Sequence, residues 1–287
     1  MTHPLSPLAD LPGVAPAVAE AREACTELRW HPGLRRLTAA ARAETVVRAA
    51  RASAALDGAD IPLERVRGLV AAQAAPPSVS EPSSTRADPV DDVVVRALRV
   101  TAAAAEIGTL LTTAPAQALA RLHLAAAPSG GDGDPSAVGR PRTTGRLPRE
   151  LLDLGPPVPA PELARRLEQL TALLVAPGPV SALVLAAVVH GEILALRPFP
   201  SSNGLVARAA SRTVIVDGGL DPTGVAVPEV GLARGAGQYV GAAAAYVSGT
   251  PEGVAAWLRY WAEAVVIGAR EGALVAAAVL AGKLPAS

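Results

Sequence analysis

The sequence has 287 residues, of which 50% are hydrophobic and 2% aromatic, and its 26 basic residues balance 26 acidic ones. A chain of this length can bury a large core, but its balanced charge gives no overall attraction to nucleic acid or to an anionic membrane surface. Ala, Val and Leu dominate the apolar residues, which favours closely packed helices over sheets rich in aromatic and β-branched residues. We therefore expect an all-α fold.

The predicted helices follow one another along the chain with short breaks. An N-terminal extension, residues 1–36, holds one helix at 17–29. A core at 37–217 contains helices predicted at 38–56, 62–75, 90–108, 115–127, 161–175, 181–196 and 203–216. Residues 218–287 are expected to form further helices packed on that core, ending in a long helix from Pro251.

Two stretches rich in Pro, Gly and Ser, at 75–89 and 128–142, are predicted to be loops. The second contains Gly-Gly-Asp-Gly-Asp at 130–134, but it lacks the closing bidentate Glu of a calcium loop, so a calcium site is rejected. Residues 142–154 are the one segment for which we predict short extended structure. The fold prediction is thus a helical bundle with a small extended flap before its central helices.

The sequence also gives an expectation for where the protein is located. Residues 1–12 lack the basic and apolar regions of a signal peptide. The apolar stretches at 180–196 and 262–280 contain charged residues and fall short of the roughly 20 apolar residues that a membrane span needs. The single cysteine, Cys25, cannot form an intrachain disulfide, and the preference for Arg over Lys is typical of a GC-rich bacterial genome. We expect a cytoplasmic protein without a membrane contact.

The turn between the helices at 181–196 and 203–216 carries the strongest functional signal. The first of these helices is apolar on nearly all sides, which predicts that it is buried all round. Unpaired amides and the helix dipole at the start of the second helix favour an anion. The donors that could hold it are Ser201, Ser202, Asn203, Gly204 and Arg208. Ser and Asn are also ordinary N-caps, so a purely structural turn stays open on the residues alone.

This segment resembles the signature motif of the Fic family, whose members transfer AMP from a nucleotide to hydroxyl groups of target proteins. The matching residues are Pro198, Phe199, Asn203, Gly204 and Arg208. The departures are Arg197 at the catalytic histidine, Ser201 at the acidic residue, Ser202 at the first glycine and Leu205 at the first arginine. Upstream, Ala187, His190 and Leu196 resemble the family helix that enters the loop. We call residues 197–204 the signature loop.

Two further segments resemble the family in the same order along the chain. Ser53, Asp57 and Gly58 are similar to its inhibitory helix motif, with Asp in place of the usual Glu. Residues 139–157 resemble its target-binding flap, so the likeness spans about residues 37–217. The resemblance implies that Asp57 pairs with Arg208 and obstructs the phosphate site. The structural alternatives are an ion pair that only fixes two helices, or an Asp57 that serves only as the turn residue at the end of a helix before Gly58.

The resemblance also implies what the altered loop has lost. In the family the loop histidine takes a proton from the target hydroxyl, the acidic residue holds Mg²⁺, and the loop amides and arginines hold phosphates. Arg197 cannot act as that base because a guanidinium stays charged in proteins. Ser201 is neutral and a poor ligand for a hard cation. Loss of the general base alone costs about 10²- to 10⁴-fold in rate, so we expect AMP transfer to be absent or residual.

These observations predict a degenerate Fic-domain protein that binds a nucleotide or another phosphate-bearing anion at the signature loop. ATP or another nucleotide is the candidate ligand, no metal residue is assigned, and a Mg²⁺ site is doubtful. The alternatives are an active transferase that modifies protein hydroxyls with altered catalytic residues, and a protein-interaction scaffold without a ligand. A protein target and a homodimer are candidate partners, whereas nucleic acid and membranes are not.

Other motifs carry less weight. His123 and His190 lie on apolar helical faces, where a hydrogen-bonded core role is the main expectation. Trp257 and Trp261 are one turn apart and are predicted to lie in the core or at an interface. The glycines at 235–241 have neither the spacing nor the preceding strand of a dinucleotide-binding turn, so an oxidoreductase is rejected.

Overall fold

The computed structural model describes residues 3–74, 88–128, 135–143, 147–150 and 153–283. Across these residues the chain is helical and contains no strand of a sheet, as the composition predicted. The predicted loop at 75–89 lies almost wholly outside the described residues, as do most of the Gly-Asp stretch and parts of the flap.

Twelve α-helices are described, and the eight with predicted bounds agree with the sequence pattern to within four residues. They are α1 Val14–Arg29, α2 Leu34–Leu56, α3 Leu63–Ala74, α4 Pro89–Ile107, α5 Leu110–Thr113, α6 Pro115–Ala126, α7 Ala160–Val175, α8 Ala182–Leu196, α9 Asn203–Asp217, α10 Pro228–Leu232, α11 Ala236–Val247 and α12 Pro251–Leu280. Three of these helices begin with a side-chain cap: Asp88, Ser181 and Thr250 each accept a backbone N–H from the first turn that follows.

The centre of the fold is the antiparallel pair α8 and α9. Every residue of α8 except Ala182 and Glu192 is buried, which confirms the helix predicted to be covered on all sides. In α9 the residues from Asn203 to Ile215 are all buried as well, including the charged Arg208 and Arg212. Burial of two arginines requires partners within the fold, because an unpaired charge in the interior is costly.

The long helix α12 fastens the C-terminal helices and α1 to this centre. It packs against α1, α2, α8, α10 and α11. Glycines allow the closest approaches: a Cβ at Gly231 would lie 2.4 Å from the carbonyl oxygen of Ala264. Trp257, buried as predicted, donates its indole N–H to the carbonyl of Ala187 on α8 at 2.7 Å. The buried apolar residues therefore form one cluster with members from residues 1–36, 37–217 and 218–287.

The predicted flap is less regular than expected. In its described part, the extended contact is an isolated parallel bridge between Arg149 and Ser201, rather than a strand of a sheet. The bridge includes a hydrogen bond of 2.8 Å from the amide of Arg149 to the carbonyl of Pro200. The flap is thereby held directly against the signature loop. No helix in the described ranges combines the length and apolarity that a membrane crossing requires.

Candidate functional site

The signature loop is a tight connection with two residues in the left-handed region. Arg197 (φ 44°) ends α8 and Ser202 (φ 62°) precedes α9, and they are the two non-glycine residues with positive φ among those described. The left-handed conformation costs an L-residue with a side chain roughly 1–2 kcal/mol. Because Ser202 stands where the family motif has glycine, this chain keeps the turn and bears a strain that glycine would avoid.

Arg142 of the flap secures the outer face of this loop. Its amide donates to the carbonyl of Pro198 at 2.7 Å, and its Nε donates to the carbonyl of Arg197 at 2.9 Å. Its Nη2 donates to the carbonyls of Leu196 at 3.0 Å and Val158 at 2.8 Å. One guanidinium thus satisfies carbonyls left over at the end of α8, where a cation also complements the helix dipole.

Asn203 and Phe199 close the loop from inside. The amide of Phe199 donates to Oδ1 of Asn203 at 2.8 Å, and Nδ2 of Asn203 donates back to the carbonyl of Phe199 at 2.9 Å. The ring of Phe199 stacks on His123 with centroids 4.2 Å apart. These contacts explain why an Asn and an aromatic residue are needed at these two positions even without catalysis.

His123 does not replace the base that the loop lacks. Its Nδ1 accepts the amide of Gly139 at 2.9 Å, so the proton of the neutral ring is on Nε2. Burial lowers the pKa of His123 to about 4, which keeps the ring neutral near pH 7. A ring with its acceptor nitrogen occupied and its other nitrogen protonated cannot take a proton from a substrate.

Glu150, which the sequence analysis did not single out, occupies the start of α9. Its Oε1 accepts the backbone amide of Asn203 at 2.9 Å and the side-chain Nδ2 of the same residue at 2.6 Å. The expectation of an unpaired amide at Asn203 is therefore wrong, because the flap supplies a carboxylate there. Burial raises the pKa of Glu150, and the negative charge of Asp57 adds to this, while the bonds from Asn203 and the charge of Arg208 oppose it.

Arg208 and Asp57 meet on the other side of the same helix start. Nη2 of Arg208 donates to Oδ1 of Asp57 at 2.8 Å and to the carbonyl of Ser53 at 3.1 Å, while Nε donates to Oγ of Ser53 at 2.6 Å. Burial lowers the pKa of Arg208, but the Asp57 carboxylate, helped by Tyr239, more than reverses this and leaves the pKa raised. The pair expected from the resemblance is formed despite the shorter side chain of Asp.

Gly204 lies between these groups. A Cβ at this position would be 3.1 Å from both Nη1 of Arg208 and Oδ1 of Asp57, so the missing side chain lets the ion pair lie against the first turn of α9. Gly58 follows Asp57 in the left-handed region (φ 84°), which lets the chain turn away immediately after the pair. Both glycines serve the placement of Asp57.

A buried polar chain extends from Arg208 to the C-terminal helices. Nη1 of Arg208 is 3.4 Å from the hydroxyl of Tyr239, which is 2.8 Å from Nε2 of His190. Trp261 donates its indole N–H to Nδ1 of His190 at 2.9 Å, so Nε2 carries the ring proton and donates to Tyr239. Burial, and then the charge of Arg208, lower the pKa of His190. This histidine is a core residue, as expected.

The remaining loop residues take protein partners. Nη1 of Arg197 donates to the carbonyl of Gly155 at 2.9 Å. Burial lowers the pKa of Arg197, and the charges of Glu150 and Asp153 oppose this shift. The Ser202 hydroxyl donates to the carbonyl of Ala126 and accepts from Nη1 of Arg96, each at 3.0 Å. Ser201 is buried and forms the bridge to Arg149. The Ser202 hydroxyl therefore has both its donor and an acceptor position taken by protein groups.

The loop does not fit a magnesium ion. Ser201, at the position of the family's metal-binding acid, is neutral, and the carboxylate of Glu150 is bonded to Asn203. Within the described ranges, no group of three His, Cys, Asp or Glu side chains could hold a metal. Mg²⁺ is usually held by one or two carboxylates together with phosphates and water. Here the two carboxylates at the helix start, Glu150 and Asp57, are bonded to Asn203 and Arg208.

Comparison with known proteins agrees with this architecture at the level of the fold. A Fic family protein from Desulfovibrio desulfuricans G20 superposes with a TM-score of 0.69 at 18% identity, over 96% of this chain and 77% of that one. A fragment of Fic-1 from C. elegans gives 0.64 at 15% identity, over 94% and 74%. No family model and no curated protein matches the sequence. The chain therefore has the Fic fold, with a distant sequence.

Proposed function

We propose that this Fic-fold chain binds a phosphate-bearing ligand, a nucleotide such as ATP first of all, at the signature loop and does not transfer AMP from it. The observation that carries the proposal is the carboxylate of Glu150 at the amide of Asn203. It supports binding of an oxyanion at this helix start, because the amide and the helix dipole that hold a carboxylate also favour a phosphate.

The charges around the helix start favour a ligand with more negative charge than a carboxylate. Arg208 is fully buried beside Gly204, and Arg197 is close enough for the charge of Glu150 to affect its pKa. Guanidiniums attract phosphate groups and can form charge-assisted hydrogen bonds with them. A phosphate that replaced the carboxylate would be attracted by both cations, while Nε and Nη2 of Arg208 stay bonded to Ser53 and Asp57.

The absence of transfer follows from the groups around the loop. Arg197 cannot accept a proton, and the acceptor nitrogen of His123 is already bonded to the amide of Gly139. Ser201, which stands at the family's metal-binding position, carries no negative charge. We expect no incorporation of α-labelled ATP into the protein or into a cell lysate, and clear incorporation would support the transferase alternative.

The proposal is tested by isothermal titration of the purified chain with ATP, ADP, AMP and inorganic phosphate. Binding should be weakened at least about tenfold by Asn203→Ala and by Arg208→Gln, because each removes a donor to the anion. Arg234→Gln is the matched control, since Arg234 pairs with Glu263 at the surface. Circular dichroism checks that each variant is folded. Binding that is equal in all four proteins would place the ligand elsewhere and refute the proposal.

A second candidate, an interaction scaffold without a small ligand, is favoured by a different aspect of the same site. Asn203, Ser202 and Arg208 all have partners within the chain. A loop whose donors are already satisfied within the chain is suited to join α8, α9 and the flap. This candidate predicts that none of the four probes binds, even after the carboxylate of Glu150 has been removed.

A further inference from the structure

We propose that Glu150 is a removable internal ligand: the flap carboxylate must leave the amide of Asn203 before a phosphate-bearing ligand can bind there. This inference rests on the proposed function and adds a means of regulation to it. It is distinct from the pairing of Asp57 with Arg208, which the resemblance implied, because Glu150 belongs to a different segment and blocks a different donor.

The geometry makes Glu150 and a phosphate mutually exclusive. Oε1 of Glu150 takes both the backbone N–H and the Nδ2 group of Asn203, at 2.9 and 2.6 Å. Nδ2 has one further hydrogen, which goes to the carbonyl of Phe199. A backbone amide has a single proton, so an arriving oxyanion finds it available only after the carboxylate has moved.

Two carboxylates thus lie at one helix start, and they come from different segments of the chain. Asp57 comes from α2 and is bonded to Arg208, whereas Glu150 comes from the flap and is bonded to Asn203. The charge of Asp57 helps to raise the pKa of Glu150, so the two carboxylates repel each other. A phosphate at the same amide would also be repelled by Asp57, so the exchange depends on attraction from the guanidiniums of Arg197 and Arg208.

The flap link also gives the exchange a consequence elsewhere. Glu150 follows directly on Arg149, whose amide is bonded to the carbonyl of Pro200 in the loop. A ligand that displaces Glu150 therefore also disturbs the bridge between Arg149 and Ser201. Ligand binding and release of the flap become one coupled event, in which the ligand shifts the chain toward the form that binds it better.

The competing explanation is that Glu150 is a fixed acceptor which stabilises the start of α9 and never leaves. An acidic side chain at a helix N-terminus is favourable without any ligand. The two explanations differ in what the wild type can bind. A removable carboxylate lets the wild type bind the ligand at the Asn203 amide with a lowered apparent affinity, whereas a fixed one leaves binding at this amide to Glu150→Ala alone.

The test is titration of ATP and of inorganic phosphate into the wild type, Glu150→Ala and Asp153→Asn. Asp153 is the matched control, because it lies in the same segment and its charge also acts on Arg197, but its carboxylate accepts the amide of Gly155. Removing a competitor held by charge-assisted bonds should raise the affinity for ATP about 10- to 100-fold in Glu150→Ala. The increase in Asp153→Asn should be less than threefold, an estimate for loss of an exposed charge screened by salt.

Each outcome decides something. Equal affinity in the wild type and Glu150→Ala leaves the proposed function standing and overturns the internal ligand. Similar gains in Glu150→Ala and Asp153→Asn reduce the effect to general electrostatics and also overturn it. Absence of binding to all three proteins overturns both proposals together. If Glu150→Ala does not fold, Glu150→Gln replaces it, with the same expectation in a weaker form.

A second measurement does not depend on affinity. Hydrogen exchange of the Asn203 amide should be slow in the wild type, where Glu150 accepts it, and faster in Glu150→Ala. Saturating ATP should restore protection in Glu150→Ala, because the phosphate takes the place of the carboxylate. An amide that stays equally protected in both proteins without ligand would show that Glu150 is not its acceptor in solution.

Discussion

The start of α9 has two sides that differ in how they are built. On the inner side, Ser53, Arg208 and Tyr239 project from helices packed in the core, and Asp57 directly follows α2. On the outer side, Arg142, Arg149 and Glu150 belong to the non-helical flap and reach the loop by a bridge and a few side-chain bonds. Both sides present charge to the same helix terminus. The inner side is set by the fold as a whole, whereas the outer side can change without unpacking a helix.

This difference predicts that substitutions on the inner side change stability as well as binding, whereas those on the outer side mainly change binding. The sharpest case is Arg208→Ala, which leaves the carboxylate of Asp57 without its cation. Breaking a buried ion pair in this way costs about 3–5 kcal/mol. We expect a loss of that size in the free energy of unfolding measured with urea.

Its control is Arg234→Ala, which breaks a pair whose Glu263 carboxylate is 61% exposed. An exposed ion pair contributes about 0–1 kcal/mol, so the urea midpoint should hardly move. If both substitutions cost the same, the inner side is not the rigid half of the site, and the comparison fails.

A smaller effect is expected for Tyr239→Phe. The substitution keeps the ring but removes the oxygen that accepts from Nε2 of His190 and from Arg208. Leaving buried donors unpaired costs about 1–3 kcal/mol. Tyr260→Phe is the comparison, since it removes a single bond to the carbonyl of Leu232 and should cost about 0.5–1.5 kcal/mol. Thermal or urea unfolding of the two variants side by side checks the order.

The smallest effect belongs to the outer side and depends on pH. Burial raises the pKa of Glu150, so the folded chain holds this proton more tightly than the unfolded chain does. The resulting stability is present below the ordinary pKa of Glu and is lost as the pH rises through the raised value. The groups that act on Glu150 are Asp57, Arg208 and Arg197, together with the bonds from Asn203.

We therefore expect the wild type to gain stability relative to Glu150→Gln as the pH falls from 7 to 5, by on the order of 1 kcal/mol. The measurement is the difference in unfolding free energy between the two proteins at each pH, which cancels the titration of other groups. A difference that moved in the opposite direction would mean that the bonds from Asn203 outweigh burial, and Glu150 would then be a tightly held structural acceptor.

The comparison of sides also explains what the sequence could predict. Helical periodicity located α8 and α9. The inner side was identified through the resemblance of Ser53, Asp57 and Gly58 to the family's inhibitory motif, which the helical pattern alone does not show. The contact of Asp57 with Arg208 was expected from the resemblance and is formed. Its role as a gate stays a prediction.

The outer side was missed for a physical reason. Glu150 and Arg142 lie 53 and 55 residues before the loop atoms they contact, in a segment without helical or strand periodicity. No local pattern says where such a segment returns to the core. The sequence therefore gave no reason to prefer Glu150 over other acidic residues, and the amide of Asn203 was wrongly expected to be unpaired. The substitution of glycine by Ser202 was the one local sign that this loop is strained.

The bond from Trp261 to His190 makes an optical reporter part of the molecule. Its indole is joined through His190 and Tyr239 to Arg208, and it lies in the core together with Trp257. The third tryptophan, Trp30, is 73% exposed, so iodide quenches its emission selectively and leaves the buried pair visible. We therefore expect a rearrangement of the Arg208 guanidinium to change the emission of the buried tryptophans in the unlabelled protein, with Trp261→Phe as the silent reference.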